Sequence, residues 1–450
     1  MVHSRWRRQE QFAFGRGKSA RGLRIFVDGE TVPDSPELDV LLTFAHHPEV
    51  EVIGTDDRFS QRLRVGAYDD QHAYTPWNIE FDGGRTLSSG VMGPDIQRIG
   101  RQFAEAGQEE RAERATVMVH GAGDHDGDAF ATADPLLLER LPRNVIEGGN
   151  PMMVADAVAL LGLFLRVRED FALDLGEGYR FSFDRSGFYF VLMRDLTPSG
   201  WRWFSASVAH SHHAQDDQLI MTAQSAMERL ERSLRARDRM HEKLQLPASR
   251  DLSDEAIFYF DVALLMLSGA FDGLAQVAHI VHSLGGSERL VGWGSKSWMK
   301  QLQTANPGLT QMMTRAQPHR DARELVALLR NTIHQEGFRT IMWQGGGTRR
   351  ERVLVPPGIE KDLEAILARV GTAADHGVAR QADGRLYIEP GIYIEKILPP
   401  VLAAINAVMD ATPVETLPGV DPTKLLTAAP DEDMFSATNR QRIRLLSGIP

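Results

Sequence analysis

The chain has 450 residues, more than one hydrophobic core usually holds, so its length predicts two or three domains. Its 42% hydrophobic and 25% charged residues are typical of a folded protein and argue against a largely disordered one. The absence of Cys excludes disulfides, zinc–thiolate sites and cysteine nucleophiles. The net charge of −11 means that any nucleic-acid contact must use a local basic patch.

Targeting features add little to this picture. Residues 1–20 are expected to form a flexible basic arm, because no apolar stretch follows their arginines as a secretory signal would require. The most apolar run, 256–271, is shorter than the roughly 20 residues of a membrane span, so it predicts a buried helix. We expect a cytoplasmic protein with no membrane partner.

Residues 21–143 have the pattern of a mixed α/β domain. Short β-rich runs at 23–27 and 50–54 predict strands, and the first ends at Asp28-Gly29, a turn sequence. A polar segment with helical spacing at 96–114 precedes another predicted strand at 115–119. A short leucine-rich helix is expected at 131–141. We expect this domain to contact a protein partner, and nothing in its sequence indicates which one.

Residues 144–214 predict an apolar helix followed by a three-stranded antiparallel meander. Asn150 and Pro151 are a suitable cap and first residue for a helix over 152–167. Aromatic residues then alternate with polar ones from Tyr179, which favours a strand. Turn sequences at 184–187 and 198–200 predict two further strands, over 188–193 and 201–205.

Residues 215–410 change to a helical period and predict a mainly α-helical bundle, which makes the whole chain α+β. The segment 344–348 is glycine-rich between two β-rich runs, so a β-hairpin insertion is expected near 339–355. A Pro-rich tail occupies 411–450. The predicted helices cover 216–246, 253–282, 297–304, 321–336, 359–370 and 393–409.

The most specific chemical feature of the chain is the segment Arg330-Asn331-Thr332-Ile333-His334. Arg330 and His334 are four positions apart, so on a helix they lie on one face. A neighbouring cation favours the neutral form of an imidazole, which can act as a general base. Arg can hold a phosphate through paired hydrogen bonds. The combination suits cleavage of RNA by its own 2′-hydroxyl without a metal.

This segment resembles the motif of the HEPN superfamily, which is Arg, a polar residue that is often Asn, and His a few residues later. Only three residues separate Arg330 from His334, fewer than in the family. The resemblance covers about 216–410 and implies an RNA-directed helical bundle, often dimeric, of a kind that includes metal-independent ribonucleases in stress or phage defence. It implies that His334 is the base, that Arg330 stabilises the phosphate, that Asn331 positions it, and that no cofactor is needed.

Acidic residues on the second long helix bear on the same segment. Asp261, Ser268, Asp272 and His279 form one polar stripe on an otherwise apolar helix. Because buried carboxylates need partners, we expect Asp261 or Asp272 to face Arg330. The stripe would then support catalysis. The alternative is a noncatalytic interaction protein, a scaffold in which the same residues form a structural Arg–His–Asp network.

A second alternative is a metal-dependent hydrolase or nuclease at an acidic loop. Asp124, Asp126 and Asp128 follow the predicted strand 115–119, and oxygen ligands on a loop suit a divalent ion. A nuclease of PIN type would join Asp28, at a strand end, with Asp126, Asp128 or Asp134. The simpler interpretation of the Gly/Asp-rich loop is a solvated turn.

The first long helix carries a basic run of five arginines. Acidic residues interleave with them, so ion pairs between positions i and i+4 are the default explanation. An RNA-facing surface is the other interpretation, and it requires the acids to point elsewhere. The arginines are Arg229, Arg232, Arg235, Arg237 and Arg239, and the acids are Glu228, Glu231, Asp238 and Glu242.

Overall fold

A computed structural model describes residues 14, 22–67, 77–81, 85–88, 122, 127–140, 150–176, 179–246, 249–333, 338, 340–345 and 348–449. The predicted α+β class is confirmed: an N-terminal α/β region precedes a mainly helical C-terminal region, and small antiparallel sheets accompany both. The predicted helix at 96–114 and strand at 115–119 lie outside the described residues, as does most of the basic arm.

The N-terminal region is built on a seven-stranded sheet. Its strands are β1 (Leu23–Val27), β2 (Val50–Gly54), β3 (Gln61–Ala67), β4 (Trp77–Phe81), β5 (Arg85–Ser88), β6 (Ala129–Ala131) and β7 (Pro151–Met152). They lie in the order β5-β4-β3-β2-β1-β6-β7. The pairs from β3 across to β7 are parallel, and β4 and β5 extend the sheet as antiparallel strands. Both expected strands, at 23–27 and 50–54, are confirmed.

Helices cover the parallel part of the sheet, as its apolar strands require. They are α1 (Pro36–Phe44), α2 (Pro135–Arg140) and α3 (Val154–Val167). Ser35 caps α1 by accepting a hydrogen bond from the Leu38 amide. The helix α3 is confirmed as the apolar helix of this region, but it begins later than expected, because Pro151 belongs to β7 and Met153 is the cap residue.

The three-stranded meander is wrong in two of its strands. Strands β8 (Ala172–Gly176) and β9 (Tyr179–Ser182) form a two-stranded hairpin. The segments 188–193 and 201–205 lie instead in α4 (Arg185–Leu196) and α5 (Ser199–Ala214). Asp184 caps α4 by accepting from the Gly187 amide, so the sequence interpreted as a turn is a helix start. The apolar residues of α4 are spread around most of the helix, so its sequence shows neither a helical nor a strand period of hydrophobicity.

The C-terminal region is the expected helical bundle. Its central pair is α6 (Gln218–Leu244) and α7 (Arg250–Val281), followed by α8 (Lys296–Ala305), α9 (Pro307–Met312), α10 (Pro318–Ile333), α11 (Glu360–Val370) and α12 (Pro390–Ala411). The expected hairpin is confirmed as β10 (Thr340–Gly345) and β11 (Thr348–Leu354), which join β12 (Val378–Arg380) and β13 (Leu386–Ile388) in an antiparallel sheet. The last helix, α13 (Ala437–Ser447), returns to pack on α3 and α4.

Two long apolar segments belong to the core of this bundle. Arg250–Val281 and Pro390–Thr416 are long and apolar enough to cross a membrane, judged by length and composition alone. Within the folded chain, 56% and 61% of their most apolar windows are buried against other elements. Burial of this extent is what the core helices of a folded bundle require, so their apolar character has a packing explanation.

Candidate functional site

Asp28 lies at the carboxyl end of β1, in the middle of the parallel sheet. Its residue is only 5% exposed, because β2 and β6 flank the strand on both edges. The Asp28 amide donates to the carbonyl of Ala131 at 2.8 Å, which ties this position to the end of β6. The Val32 amide donates to the Asp28 carbonyl at 2.9 Å, so the chain turns immediately after the strand.

Two threonine hydroxyls hold the Asp28 carboxylate. Thr31 Oγ1 donates to Asp28 Oδ2 at 2.6 Å, and Thr132 Oγ1 donates to the same oxygen at 3.0 Å. The Asp134 amide in turn donates to Thr132 Oγ1 at 3.0 Å, and Asp134 is 2% exposed. Hydroxyl donors of this kind fix the rotamer of a carboxylate. Thr132 therefore links the Asp28 carboxylate to the backbone of Asp134, which is far from Asp28 in sequence.

The position of this cluster in the sheet is the one where α/β proteins bind ligands. From β1 the chain moves to β2 on one side, and later returns to β6 on the other side. The order of the strands thus reverses between β1 and β6, and open α/β sheets bind their ligands at such a reversal, outside the carboxyl ends of the strands. Asp28 follows β1, and Thr132 and Asp134 follow β6. The cluster lies at this switch point.

Arg58 braces the loop that follows β1. Its guanidinium donates to the carboxylate of Asp56 at 2.8 Å and to that of Asp34 at 2.8 Å, and also to the carbonyls of Gly29 and Val32. The hydrogen bond that Arg58 donates to Asp56 raises the pKa of Arg58. Burial alone would raise the pKa of Asp56, but its bonds with Arg58 outweigh this and lower it. Arg58 is a support of the loop that carries Asp28 and Thr31.

Asp128 lies at the amino end of β1, opposite the end that carries Asp28, so the predicted pairing of Asp128 with Asp28 is wrong. The Arg24 amide donates to Asp128 Oδ2 at 3.0 Å, and Arg24 is near the start of β1. Four residues of extended strand separate Arg24 from Asp28, about 13 Å at 3.3 Å per residue. Asp128 therefore cannot share an ion with Asp28. Asp124 and Asp126 lie outside the described residues, and within those residues no group of three or more metal-ligating side chains occurs.

Arg330 and Asn331 lie near the end of α10, in its last described turn. Arg330 is half-buried and Asn331 is exposed, and Arg330 Nη1 donates to Asn331 Oδ1 at 3.3 Å. The third predicted residue, His334, lies outside the described residues. The guanidinium and the amide are therefore accessible to a ligand in solution.

The expected ion pair between Arg330 and the acids of α7 is absent from the described part of the chain. Burial raises the pKa of Asp261 to about 6, and its buried Oδ1 has no hydrogen-bond partner. Burial lowers the pKa of Arg323, which lies about two turns nearer the start of α10 than Arg330. The negative charge of Asp272 opposes this shift. Asp272 therefore lies near Arg323, and not near the predicted partner Arg330.

Asp261 nevertheless lies toward the end of α10 that carries Arg330. Phe260 contacts Phe338, which follows α10, with ring centroids 5.9 Å apart. Asp272, farther along α7, acts on Arg323 near the start of α10. The two helices therefore run antiparallel. Asp261, half-buried and with a raised pKa, thus lies toward the end of α10 that carries Arg330 and Asn331.

The threonines of the switch-point cluster were missed by sequence reasoning, although Asp28 and Asp134 were considered. A usable signal exists: Asp28 and Thr132 each come directly after a short apolar run that predicts a buried parallel strand. No model of a known protein family, no curated protein and no solved structure matches this chain. The function of this chain is therefore inferred from the geometry of the residues at the switch point and at the end of α10.

Proposed function

We propose that the protein is a divalent-cation-dependent hydrolase of phosphodiesters, a nuclease, with its active site at the switch point of the parallel sheet. The observation that supports this proposal is that the Asp28 carboxylate and the backbone amide of Asp134 both bond to the Thr132 hydroxyl, at the carboxyl ends of β1 and β6. A crevice at this point of an open α/β sheet is the usual place for a ligand. Acidic residues at the ends of two neighbouring parallel strands suit a cation that also contacts a phosphate.

The residues present fit a hard divalent cation such as Mg²⁺. Both charged groups are carboxylates, and both are almost fully buried, at 5% and 2% exposed. Mg²⁺ prefers oxygen ligands and is commonly held by one or two carboxylates while it keeps several waters and contacts substrate phosphates. Asp28 and Asp134 would hold the cation. When bound, such an ion neutralises charge on a phosphodiester and makes a bound water more acidic.

The chain's own residues then have separate tasks. Thr31 and Thr132 both donate to Asp28 Oδ2 and so fix the rotamer of the carboxylate. Asp28 Oδ1 is then the oxygen that would bind the cation. The loop after β1 cannot move freely, because the Gly29 amide donates to Thr55 Oγ1 at 2.9 Å. A Cβ atom on Gly29 would stand 2.2 Å from Asp56 Oδ2, so this close approach requires glycine. Preorganisation of this kind lowers the cost of binding a charged substrate.

The test is cleavage of labelled single-stranded RNA and DNA by the full-length protein, with Mg²⁺ or Mn²⁺ and with EDTA. We expect cleavage that requires the cation and is lost in Asp28→Asn and Asp134→Asn. Asp254→Asn is the matched control, because Asp254 is exposed near the start of α7. Cleavage that survives both Asp28→Asn and EDTA would rule out this site.

A second candidate is the HEPN-like metal-independent ribonuclease, and a specific observation favours it. Arg330 and Asn331 are accessible, and Arg330 is not used in an ion pair with Asp261 or Asp272. The core network that the scaffold alternative required between these residues is therefore lacking in the described chain. The proposal includes His334 as the base, RNA as the substrate, a homodimer, and a role in stress or phage defence.

The two candidates separate in one assay. Cleavage by the second site continues in EDTA, leaves cyclic-phosphate ends, and is lost in Arg330→Ala and His334→Ala but not in Asp28→Asn. Retention of EDTA-resistant cleavage by Arg330→Ala would exclude the second site. An inactive wild-type protein under both conditions, with folding confirmed by circular dichroism, would count against both candidates.

A further inference from the structure

A cavity lined by arginines lies between α3, α4 and α6, far along the chain from both candidate active sites. It has a volume of about 90 Å³, and four guanidinium groups line it, with Asp238 as the acidic residue in the lining. A water in liquid occupies about 30 Å³, so the cavity has room for about three waters or one small anion. The arginines are Arg166, Arg185, Arg235 and Arg239.

The single carboxylate of this cavity is already engaged. Arg166 donates to Asp238 through Nε and Nη2, at 2.7 and 3.2 Å, and the Tyr189 hydroxyl donates to Asp238 Oδ2 at 2.6 Å. One charge of Arg166 is thereby cancelled. The three remaining arginines have no acidic partner among the residues that line the cavity.

Those three arginines are held from outside the cavity. Arg185 pairs with Glu169, Arg235 with Glu231, and Arg239 with Glu242. None of these glutamates is among the described residues that line the cavity. The pairs at Arg232 and Arg235 are the i, i+4 pairs that the sequence predicted, yet they do not fill the space.

Arg235 carries the sharpest indication of a ligand. Its Nε is buried and has no hydrogen-bond partner, although its guanidinium carbon lies 5.4 Å from the Tyr189 ring centroid. An unsatisfied buried donor costs free energy unless something accepts its hydrogen bond. An anion in the arginine cavity would supply an acceptor for this donor, beside a lining acid that Arg166 and Tyr189 already engage.

A larger groove of about 690 Å³ adjoins the cavity and shares Arg235 with it. Phe183 and Phe190 line this groove beside Met434, and Phe190 and Met434 are 36% and 39% exposed. The charged residues of its lining are Asp184, Glu228, Glu231, Arg232 and Arg235, and the two arginines pair with Glu228 and Glu231. Exposed aromatic rings are platforms on which nucleic-acid bases stack. The combination of an anion-sized cavity and an aromatic groove is suited to a molecule with a phosphate at one end and a planar ring at the other.

We propose that the arginine cavity binds the phosphate group of a nucleotide whose base lies in the adjoining groove. The site is separate from the hydrolase site proposed above and does not depend on it. Its ligand is a phosphate monoester of a nucleoside. The phosphate can come from a free mononucleotide or from the 5′ end of an RNA, and these sources differ in what lies beyond the groove.

The test is calorimetric titration of the full-length protein with AMP, adenosine, inorganic phosphate, and a short RNA with a 5′-phosphate or a 5′-hydroxyl. We expect AMP to bind more tightly than inorganic phosphate and adenosine to bind weakest, with affinity falling as salt rises. Preference for the 5′-phosphorylated RNA over AMP would identify an RNA end as the source, and the reverse a free nucleotide. Equal binding of adenosine and AMP, or no gain of AMP over phosphate, would overturn the proposal.

Variants locate the binding. Arg239→Gln and Arg185→Gln should each weaken AMP binding by about tenfold, since each removes one charged donor. Arg289→Gln is the matched control, because Arg289 is exposed and lies far from the cavity in sequence, between α7 and α8. Arg185 pairs with the exposed Glu169 at the surface, so its variant should fold even if Arg239→Gln does not. Unchanged AMP binding in a folded Arg185→Gln would contradict this assignment.

Discussion

Arg166 and Asp238 form a two-point ion pair that joins α3 to α6 inside the protein, with 2.7 Å between Arg166 Nε and Asp238 Oδ2. Arg166 Nη1 also donates to the carbonyl of Leu446 at 2.8 Å, which ties the C-terminal helix α13 to the same network. Both residues are 5% exposed. The pair therefore connects the sheet domain, the bundle and the last helix.

Removal of one partner of this pair should be strongly destabilising. We expect Asp238→Asn to lower the free energy of unfolding by about 3–5 kcal/mol, because it leaves Arg166 buried without a full counter-charge. The measurement is denaturation in urea. Glu228→Gln is the control, since it breaks the exposed Arg232–Glu228 pair and should cost less than about 1 kcal/mol. Equal costs for the two variants would contradict this expectation.

Low pH should lower the stability of the fold through Glu395, which bonds to Arg237 and His241 in the interior. Burial would raise the pKa of Glu395, but Arg237 and His241 outweigh burial and lower it below its ordinary value of 4.5. A carboxyl with a lowered pKa contributes stability that is present above its unfolded pKa and is lost as the pH falls below it. Burial also lowers the pKa of His241, so its protonation adds to the loss below about pH 6.5.

The check is the midpoint of thermal unfolding from pH 7 down to about pH 3, because the contribution of Glu395 is lost only below its ordinary pKa of 4.5. We expect the wild-type midpoint to fall over this range, and the midpoint of Glu395→Gln to start lower and fall less steeply. Parallel curves for the two proteins would show that the bonds of Glu395 with Arg237 and His241 are not the source of the acid sensitivity.

Asp261 should act in the opposite sense. Its pKa is raised to about 6 by burial, so the folded chain resists its ionisation, and the cost grows as the pH rises from about 4 to 6 and stays above that. Asp261→Asn should therefore stabilise the protein at pH 7.5, and the gain should disappear near pH 4. Thermal unfolding at both values tests this. Asp254→Asn, at an exposed position of the same helix, should give no such pH-dependent gain.

Divalent cations should stabilise the fold through Asp28. A ligand that binds only the folded state, present at 100 times its Kd, adds about 2.7 kcal/mol. We expect Mn²⁺ to raise the unfolding midpoint of the wild type and not that of Asp28→Asn. Thr132→Val should lose about 1 kcal/mol from the missing hydrogen bond and should bind Mn²⁺ more weakly. An equal shift in wild type and Asp28→Asn would place the cation elsewhere.

Local patterns predicted much of the fold and little of the sites. The strands at 23–27 and 50–54, the bundle helices and the hairpin near 339–355 follow from periodicity and turn residues, and the structure contains them. The same patterns wrongly predicted a strand where α4 lies, because α4 is apolar around most of its surface and begins with residues that also favour a turn. Capping and turn formation use the same short polar side chains.

The amino-acid sequence by itself determined the α+β class, because the period of apolar residues and the positions of Gly, Pro and capping residues act within short segments. Only the tertiary structure decided which distant side chains meet. Thr132 and Asp28 are 104 residues apart, and Arg237 and Glu395 are 158 apart. Such contacts depend on strand order and helix packing, which local preferences do not specify. For that reason Asp128 lies away from Asp28, and Asp272 acts on Arg323 and does not pair with Arg330.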